Sequence, residues 1–287
     1  SKLASKKVTV SLSGDAGDEL FGGYNRYIGT SQWWERINKI PYWLRMFLSS
    51  SILSISPKKW DSFEKVATKI ISRQLSSGGF GNNLQKIGSV LRVKDSKSLH
   101  RHFVSNWSFP EEVVINGIEP TLPTINTEFF LDDVVSQMMA MDTLNYLPDD
   151  ILVKLDRAAM SVSLETRIPF LDHRVLEFAW TLPLSMKVRS GQGKWVLRQV
   201  LNKYVPNKLV DKPKMGFGLP VDNWLRGPLK DWAEDLLDEK RLIREGYFHP
   251  APVRQKWLEH KSGKHNWQHH LWDVLIFQSW LHEQSTL

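Results

Sequence analysis

Residues 8–24 read VTVSLSGDAGDELFGGY, and the fold turns on how this run is taken. Val8, Thr9 and Val10 are β-branched and spell a short strand. Ser13, Gly14, Asp15, Ala16, Gly17, Asp18 and Glu19 follow as a small, acidic loop, and residues 20–24 start an aromatic, glycine-rich helix. Strand, acidic loop and helix is the layout that sets a ligand at the carboxyl end of a sheet strand. Gly14 and Gly17 let backbone approach closely, and N–H groups at the helix start can face an anion. Asp15, Asp18 and Glu19 crowd together as carboxylates do around a Mg²⁺ ion that also takes substrate phosphates. A strand, a Gly/Asp turn and a helix with acids in its first turn account for the run equally well.

The surrounding chain has 287 residues, 41% hydrophobic and 24% charged, which are ordinary proportions for a globular body. That length suits one large or two small domains. Thirteen Trp and thirteen Phe supply bulky core material. No run of eighteen apolar residues occurs, so no membrane-spanning helix is expected. Residues 1–7 carry no apolar signal segment, and a cytoplasmic location is the expectation. With no cysteine, disulfides and thiolate metal sites are excluded. The formal charge of +7 comes from Lys and Arg interspersed with acids, without a dense basic tract. This pattern argues against a nucleic-acid partner. It fits a solvated surface, or an electropositive bed for a polyanion such as ATP or pyrophosphate.

By pattern, residues 1–30 hold one strand and the acidic loop, 31–225 form a helical body, and 226–287 are closing helices. Trp33, Trp34, Ile37, Trp43, Met46, Phe47 and Leu48 give helical apolar faces, read as packing surface. Residues 120–127 read as a loop. Residues 128–145 read as a helix with Phe129, Phe130, Val134, Met138 and Met141 as core filler. Trp257, Trp267, Trp272 and Trp280 mark apolar faces near the end. His265, His269 and His270 are close in sequence, yet no paired acid or cysteine completes a metal site.

Three further stretches carry chemistry-bearing residues. Pro148 suits the first turn of a new helix, with Asp149 and Asp150 complementing its dipole. Asp150 and Lys154 then lie one turn apart. They form either a surface pair or part of a polar helix that enters a cleft. Glu165 and Arg167 read equally as a buried ion pair or as substrate contacts. Pro169 breaks any helix there, and Asp172 can cap the next. Lys194 follows Gly191, Gln192 and Gly193 at a helix start, where a cation opposes the dipole and an anionic partner is expected. Residues 212–220 (KPKMGFGLP) cannot be a regular element and read as an ordered loop over a site or as a connector.

The 8–24 run resembles the second signature of the asparagine synthetase family, Ser-Gly-x-Gly-x-Asp-Glu-Leu-Phe-x-Gly-Tyr. Residues 147–172 (LPDDILVKLDRAAMSVSLETRIPFLD), 194–198 (KWVLR) and 206–225 (PNKLVDKPKMGFGLPVDNWL) resemble the same family in the same order. Ala16 departs from it, standing where the family has glycine. If that position needs a positive φ, alanine is strained there. The resemblance implies an α/β, strongly helix-rich fold: part of an ATP-pyrophosphatase (adenine nucleotide α-hydrolase-like) domain with a truncated parallel sheet.

It also implies an enzyme that adenylates aspartate with ATP and Mg²⁺, then amidates it with ammonia from a glutaminase domain, giving asparagine, AMP and pyrophosphate. Asp18 would hold Mg²⁺, and Asp15 would lie close to the acceptor and ammonia. Ser13 and Gly14 would line the nucleotide site, Asp150 would be a second acid, and Lys194 would contact the phosphates. A homodimer is compatible with this reading. The family's earlier Ser-Gly-Gly-x-Asp-Ser loop and the glutaminase cysteine do not occur in these residues. They read as a carboxyl-terminal portion that would be inactive by itself. Two alternatives stay open: a related ligase with another acceptor (β-lactam synthetase, peptide cyclase or sugar-modifying type), and a non-catalytic remnant.

Overall fold

The computed structural model describes residues 1–55, 59, 60, 62, 80–107, 109–118, 131, 133–210 and 218–286. Expectations placed on the 120–127 loop, on Phe129 and Phe130, and on 212–217 lie outside the described residues. The chain is helix-rich with one short parallel sheet. Strand β1 (Val10–Leu12) pairs with β2 (Glu165–Arg167), Val10 opposite Glu165, Ser11 opposite Thr166 and Leu12 opposite Arg167. Parallel neighbours need a long crossover, and the helices between the two strands supply it. Glu165 and Arg167 do form an ion pair, at 2.7 Å, but on the exposed side of β2 and not in the core.

The chain divides into two compact units, one of Ser1–Val104 with Leu122–Val210 and the other of Ser105–Thr121 with Asp211–Leu287. The first holds both strands and two apolar clusters. In one cluster, Tyr27 and Trp34 of α2 (Asn25–Asn38) pack with Leu99, Val135, Met138, Met139 and Met141. The methionines fill the core as their spacing suggests. In the other, Ala16, Leu20 and Phe21 meet Leu147 and Ala179, with Phe170 and Leu176 against them. The helical face read through Trp43 and Phe47 is not buried. Helix α3 (Tyr42–Leu53) leaves both side chains exposed and turns Arg45 and Ser49 inward. There Arg45 donates to the Val93 carbonyl at 3.0 Å and Ser49 to that of Gly88 at 2.7 Å. Side chains bonded to main-chain carbonyls can thus be buried where the apolar pattern pointed elsewhere.

The largest departure from the sequence reading lies at residues 142–152. No break separates the two helices expected there. Helix α4 (Val134–Met141) runs into a π-helical segment (Asp142–Leu152), which runs into α5 (Val153–Met160). Pro148 sits inside the π segment and not at a helix start. In an α-helix its ring would press on the carbonyl four residues back, and its missing N–H would leave that carbonyl unpaired. The wider π turn gives the ring room. Asp172 does cap the next helix, α6 (His173–Thr181), accepting from the Arg174 N–H at 3.0 Å.

The second unit is built around Trp257, Leu242, Leu271 and Leu275, all buried, with Trp267 and Trp272 packed against them. Trp280 stays half exposed. Residues 105–121 join this unit through a Val114–Phe248 antiparallel bridge and a 3.2 Å bond from the Trp107 indole to the His270 carbonyl.

Candidate functional site

The site starts where β1 ends. The Ser13 N–H donates to the Arg167 carbonyl at 2.9 Å, which anchors the loop to the sheet. The Ser13 hydroxyl donates to the Asp15 carboxylate in a short hydrogen bond. Ala16 follows at φ 66°, the left-handed region, so the glycine-favouring position does carry alanine. Its methyl is buried in the cluster with Leu20 and Phe21, and that burial offsets part of the backbone strain. Helix α1 (Gly17–Phe21) then places Asp18 and Glu19 in its first turn and closes on Gly22 at φ 69°.

Helix α7 (Trp195–Leu201) arrives from the far side of the sequence, with Lys194 preceding it at φ 55°. The Lys194 N–H donates to the Phe21 carbonyl at 2.9 Å. Its ammonium lies 2.9 Å from the Asp18 carboxylate, the two side chains 32% and 25% exposed. The anionic partner expected for this cation is therefore Asp18. Close packing holds the pair. A Cβ on Gly23 would fall 2.0 Å from Asp18 Oδ1 and 2.3 Å from Lys194 Cε, and one on Gly193 would fall 2.2 Å from the Gly22 carbonyl oxygen. Backbone crowding requires glycine at 193, and a side chain at 23 would push the Asp18 and Lys194 side chains out of their pairing. Gly14, in contrast, has open space around it, while Gly17 packs on the Phe170 ring.

Behind the pair lies a buried polar layer. Glu19 is buried and accepts the Tyr24 O–H at 2.5 Å. Burial pushes the Glu19 pKa up, against the lowering effect of that hydrogen bond. Burial, followed by the bond to Glu19, raises the Tyr24 phenol far above its ordinary range. Asp142, fully buried at the head of the π segment, takes Arg26 Nη2 at 2.7 Å, His100 Nε2 at 2.8 Å and the Tyr27 hydroxyl. Burial alone would raise the Asp142 pKa, but the His100, Arg26 and Tyr27 contacts outweigh it and hold the carboxyl below its usual value. Arg26 also lies over the Tyr24 ring, 4.2 Å from its centroid, and 5.2 Å from that of Tyr146. Burial and then the nearby Asp150 carboxylate raise the Tyr146 phenol.

The structure thus brings Ser13, Asp15, Asp18 and Lys194 into one loop cluster. Asp150 is exposed at the other end of the π segment and connects to that cluster through Tyr146, Arg26 and Tyr24. Arg26, Asp142 and Tyr146 were missed in the sequence. A signal was present in the four-residue spacing of Asp142, Tyr146 and Asp150, which sets polar groups on one side of a helix otherwise read through its methionines. An arrangement with a partly exposed carboxylate–ammonium pair just beyond the end of a parallel strand can hold a cation on one member and a phosphate on the other.

The sequence model of the asparagine synthase family matches residues 1–282. The chain is 28% identical over 281 residues to asparagine synthetase [glutamine-hydrolyzing] 1 of Bacillus subtilis, covering 97% of this chain and 41% of that protein. It is 32% identical over 285 residues to a putative asparagine synthetase [glutamine-hydrolyzing] of Mycobacterium bovis, covering 96% of this chain and 40% of that protein. The chain therefore spans about two fifths of the length of the curated relatives it matches. No solved structure matches it.

Proposed function

Because the chain belongs to the asparagine synthase family, we propose that it carries the synthetase site of a glutamine-dependent amidotransferase. In this reading, part of an adenine nucleotide α-hydrolase-like domain adenylates aspartate with ATP, and ammonia released from glutamine displaces AMP to give asparagine. The observation that carries it is the Asp18–Lys194 pair at 2.9 Å, held over glycines at the end of β1.

The fit to Mg²⁺ rests on one carboxylate, because Glu19 is turned into the buried layer and no group of three metal-ligating side chains occurs among the described residues. Asp18 offers a partly exposed carboxylate at the strand end, and Mg²⁺ takes one or two carboxylates and completes its shell with water and phosphate oxygens. Asp18 would be the ligand. The chemistry supplied there is neutralisation of charge on the departing pyrophosphate. Lys194 would turn its ammonium from Asp18 to the phosphates and steady the same charge. Ser13 and Gly14 would line the nucleotide side. Asp15, fixed by the Ser13 hydroxyl, would face the acceptor and ammonia, and Asp150 would be a second acid on that side. Retention of both Asp18 and Lys194 in a close pair favours this reading over a non-catalytic remnant.

Asp18→Asn in the full-length protein tests it. The amide keeps the shape and loses the charge, so turnover should fall on the order of 100-fold or more while the thermal midpoint stays near that of the parent. Near-normal pyrophosphate release at ordinary Mg²⁺ would return the acidic loop to a purely structural role.

A further inference from the structure

The buried layer behind the pair has no part in the chemistry assigned above, yet its geometry links both sides of the site. Arg26 touches four members of the layer, Asp142, Tyr24, Tyr27 and Tyr146. Its guanidinium donates through Nε at 3.2 Å and Nη2 at 2.7 Å to one oxygen of the buried Asp142. Its Cζ lies 4.2 Å from the Tyr24 ring centroid and 5.2 Å from that of Tyr146, two rings inclined at 72° to each other. Tyr24 passes the constraint on, since its hydroxyl is bonded to Glu19, the neighbour of Asp18 in the first turn of α1. Tyr146 stands beside Asp150. Asp142, held also by His100 and Tyr27, cannot move without leaving a buried charge unpaired.

Resting on the functional reading above, we propose that Arg26 is a positioning residue of the amide-forming site, locking Tyr24 and Glu19 behind Asp18 and Tyr146 behind Asp150. It touches no substrate. It sets the distance and angle between the metal-binding acid and the second acid, which belong to elements far apart in sequence. A guanidinium can bond one carboxylate through two N–H groups while its carbon lies against two rings, and a compact ammonium cannot span all three.

Three variants of the full-length protein test this: Arg26→Lys, Tyr24→Phe and the two combined. Arg26→Lys keeps a charge for Asp142, so the thermal midpoint should move little. kcat should fall about tenfold or more, because small misplacements of reacting groups are costly, with the KM for ATP within about threefold. Tyr24→Phe keeps the stacked ring and cuts the bond to Glu19, and kcat should fall in the same direction. The double variant should be no worse than the more damaged single one, since both changes break one path. A merely structural arginine would lower the midpoint and leave kcat per folded molecule unchanged. Parental kcat in Arg26→Lys, or losses that multiply in the double variant, would overturn the proposal. If Arg26→Lys fails to fold, Tyr24→Phe alone decides, and parental turnover in it overturns the assignment. Asp18→Asn in the same assay keeps the two readings apart: its loss of activity beside an unaffected Arg26→Lys refutes only the role of Arg26.

Discussion

Lys194 shows how much a single residue's position can say. Its backbone is left-handed at φ 55°, its N–H is spent on the Phe21 carbonyl, and its ammonium meets Asp18 at 2.9 Å. An exposed lysine with no task needs none of these constraints. Lys194→Ala should therefore lower kcat on the order of 100-fold while changing the KM for ATP far less, because the proposed phosphate contact strengthens as pyrophosphate leaves. Lys194→Arg should rescue poorly, since a broad planar group does not fit the space that Gly23 and Gly193 leave. Unchanged kcat and unchanged midpoint in both variants would remove Lys194 from the site. That this residue has an anionic partner was legible, because a cation at a helix start is out of place unless something pairs with it. Arg26 and Asp142 were not legible in that way. The two pair across 116 positions, and apart from the four-residue spacing that Asp142 shares with Tyr146 and Asp150 nothing local marks either one.

At the scale of the element, the π segment is where sequence reasoning went astray, and the cause is physical. Proline near two aspartates has the signature of a helix N-terminus. The same proline inside a continuous helix demands a register change, and only the tertiary packing of Leu147 and Asp142 decides which is used. The register has a consequence, because it sets the angle at which Asp150 leaves the axis relative to Asp142. Pro148→Ala removes the ring clash and restores an N–H, so the segment can tighten toward α geometry. The midpoint should rise or hold, since proline in a helix interior is disfavoured by about 3 kcal/mol against alanine. Turnover should fall, because Asp150 and Tyr146 swing away from their places. A variant that is both as stable and as active as the parent would show that the π turn serves packing alone. At 8–24, by contrast, the order of strand, acidic turn and helix was readable, but its bounds were not. The strand forms at Val10–Leu12, two residues past the start of the β-branched run, and the helix takes in Gly17, Asp18 and Glu19 and ends at Gly22, within the stretch read as a helix start.

Across the whole molecule, each compact unit has its own core, and both units are discontinuous in sequence. No composition shift announces that residues 105–121 pack with the closing helices. The join is made by a bridge at Val114 and by the Trp107 indole, which local pattern cannot anticipate. Separate cores lead to a definite thermal expectation. Leu271 and Leu99 are both fully buried, the first in the Trp257 cluster and the second in the Tyr27 cluster. Truncating either to alanine removes buried methyl groups and leaves a cavity, at about 2–5 kcal/mol. If each core melts as its own cooperative unit, a calorimetric scan shows two transitions. Leu271→Ala then lowers one of them by roughly 10 °C or more and leaves the other in place, and Leu99→Ala does the reverse. Aspartate-dependent pyrophosphate release at a temperature between the two shifted midpoints would be lost first in Leu99→Ala, since Asp18, Lys194 and Arg26 all belong to the unit that holds Leu99. A single transition lowered equally by both variants would mean that the two cores unfold together and that the division is geometric without being thermodynamic.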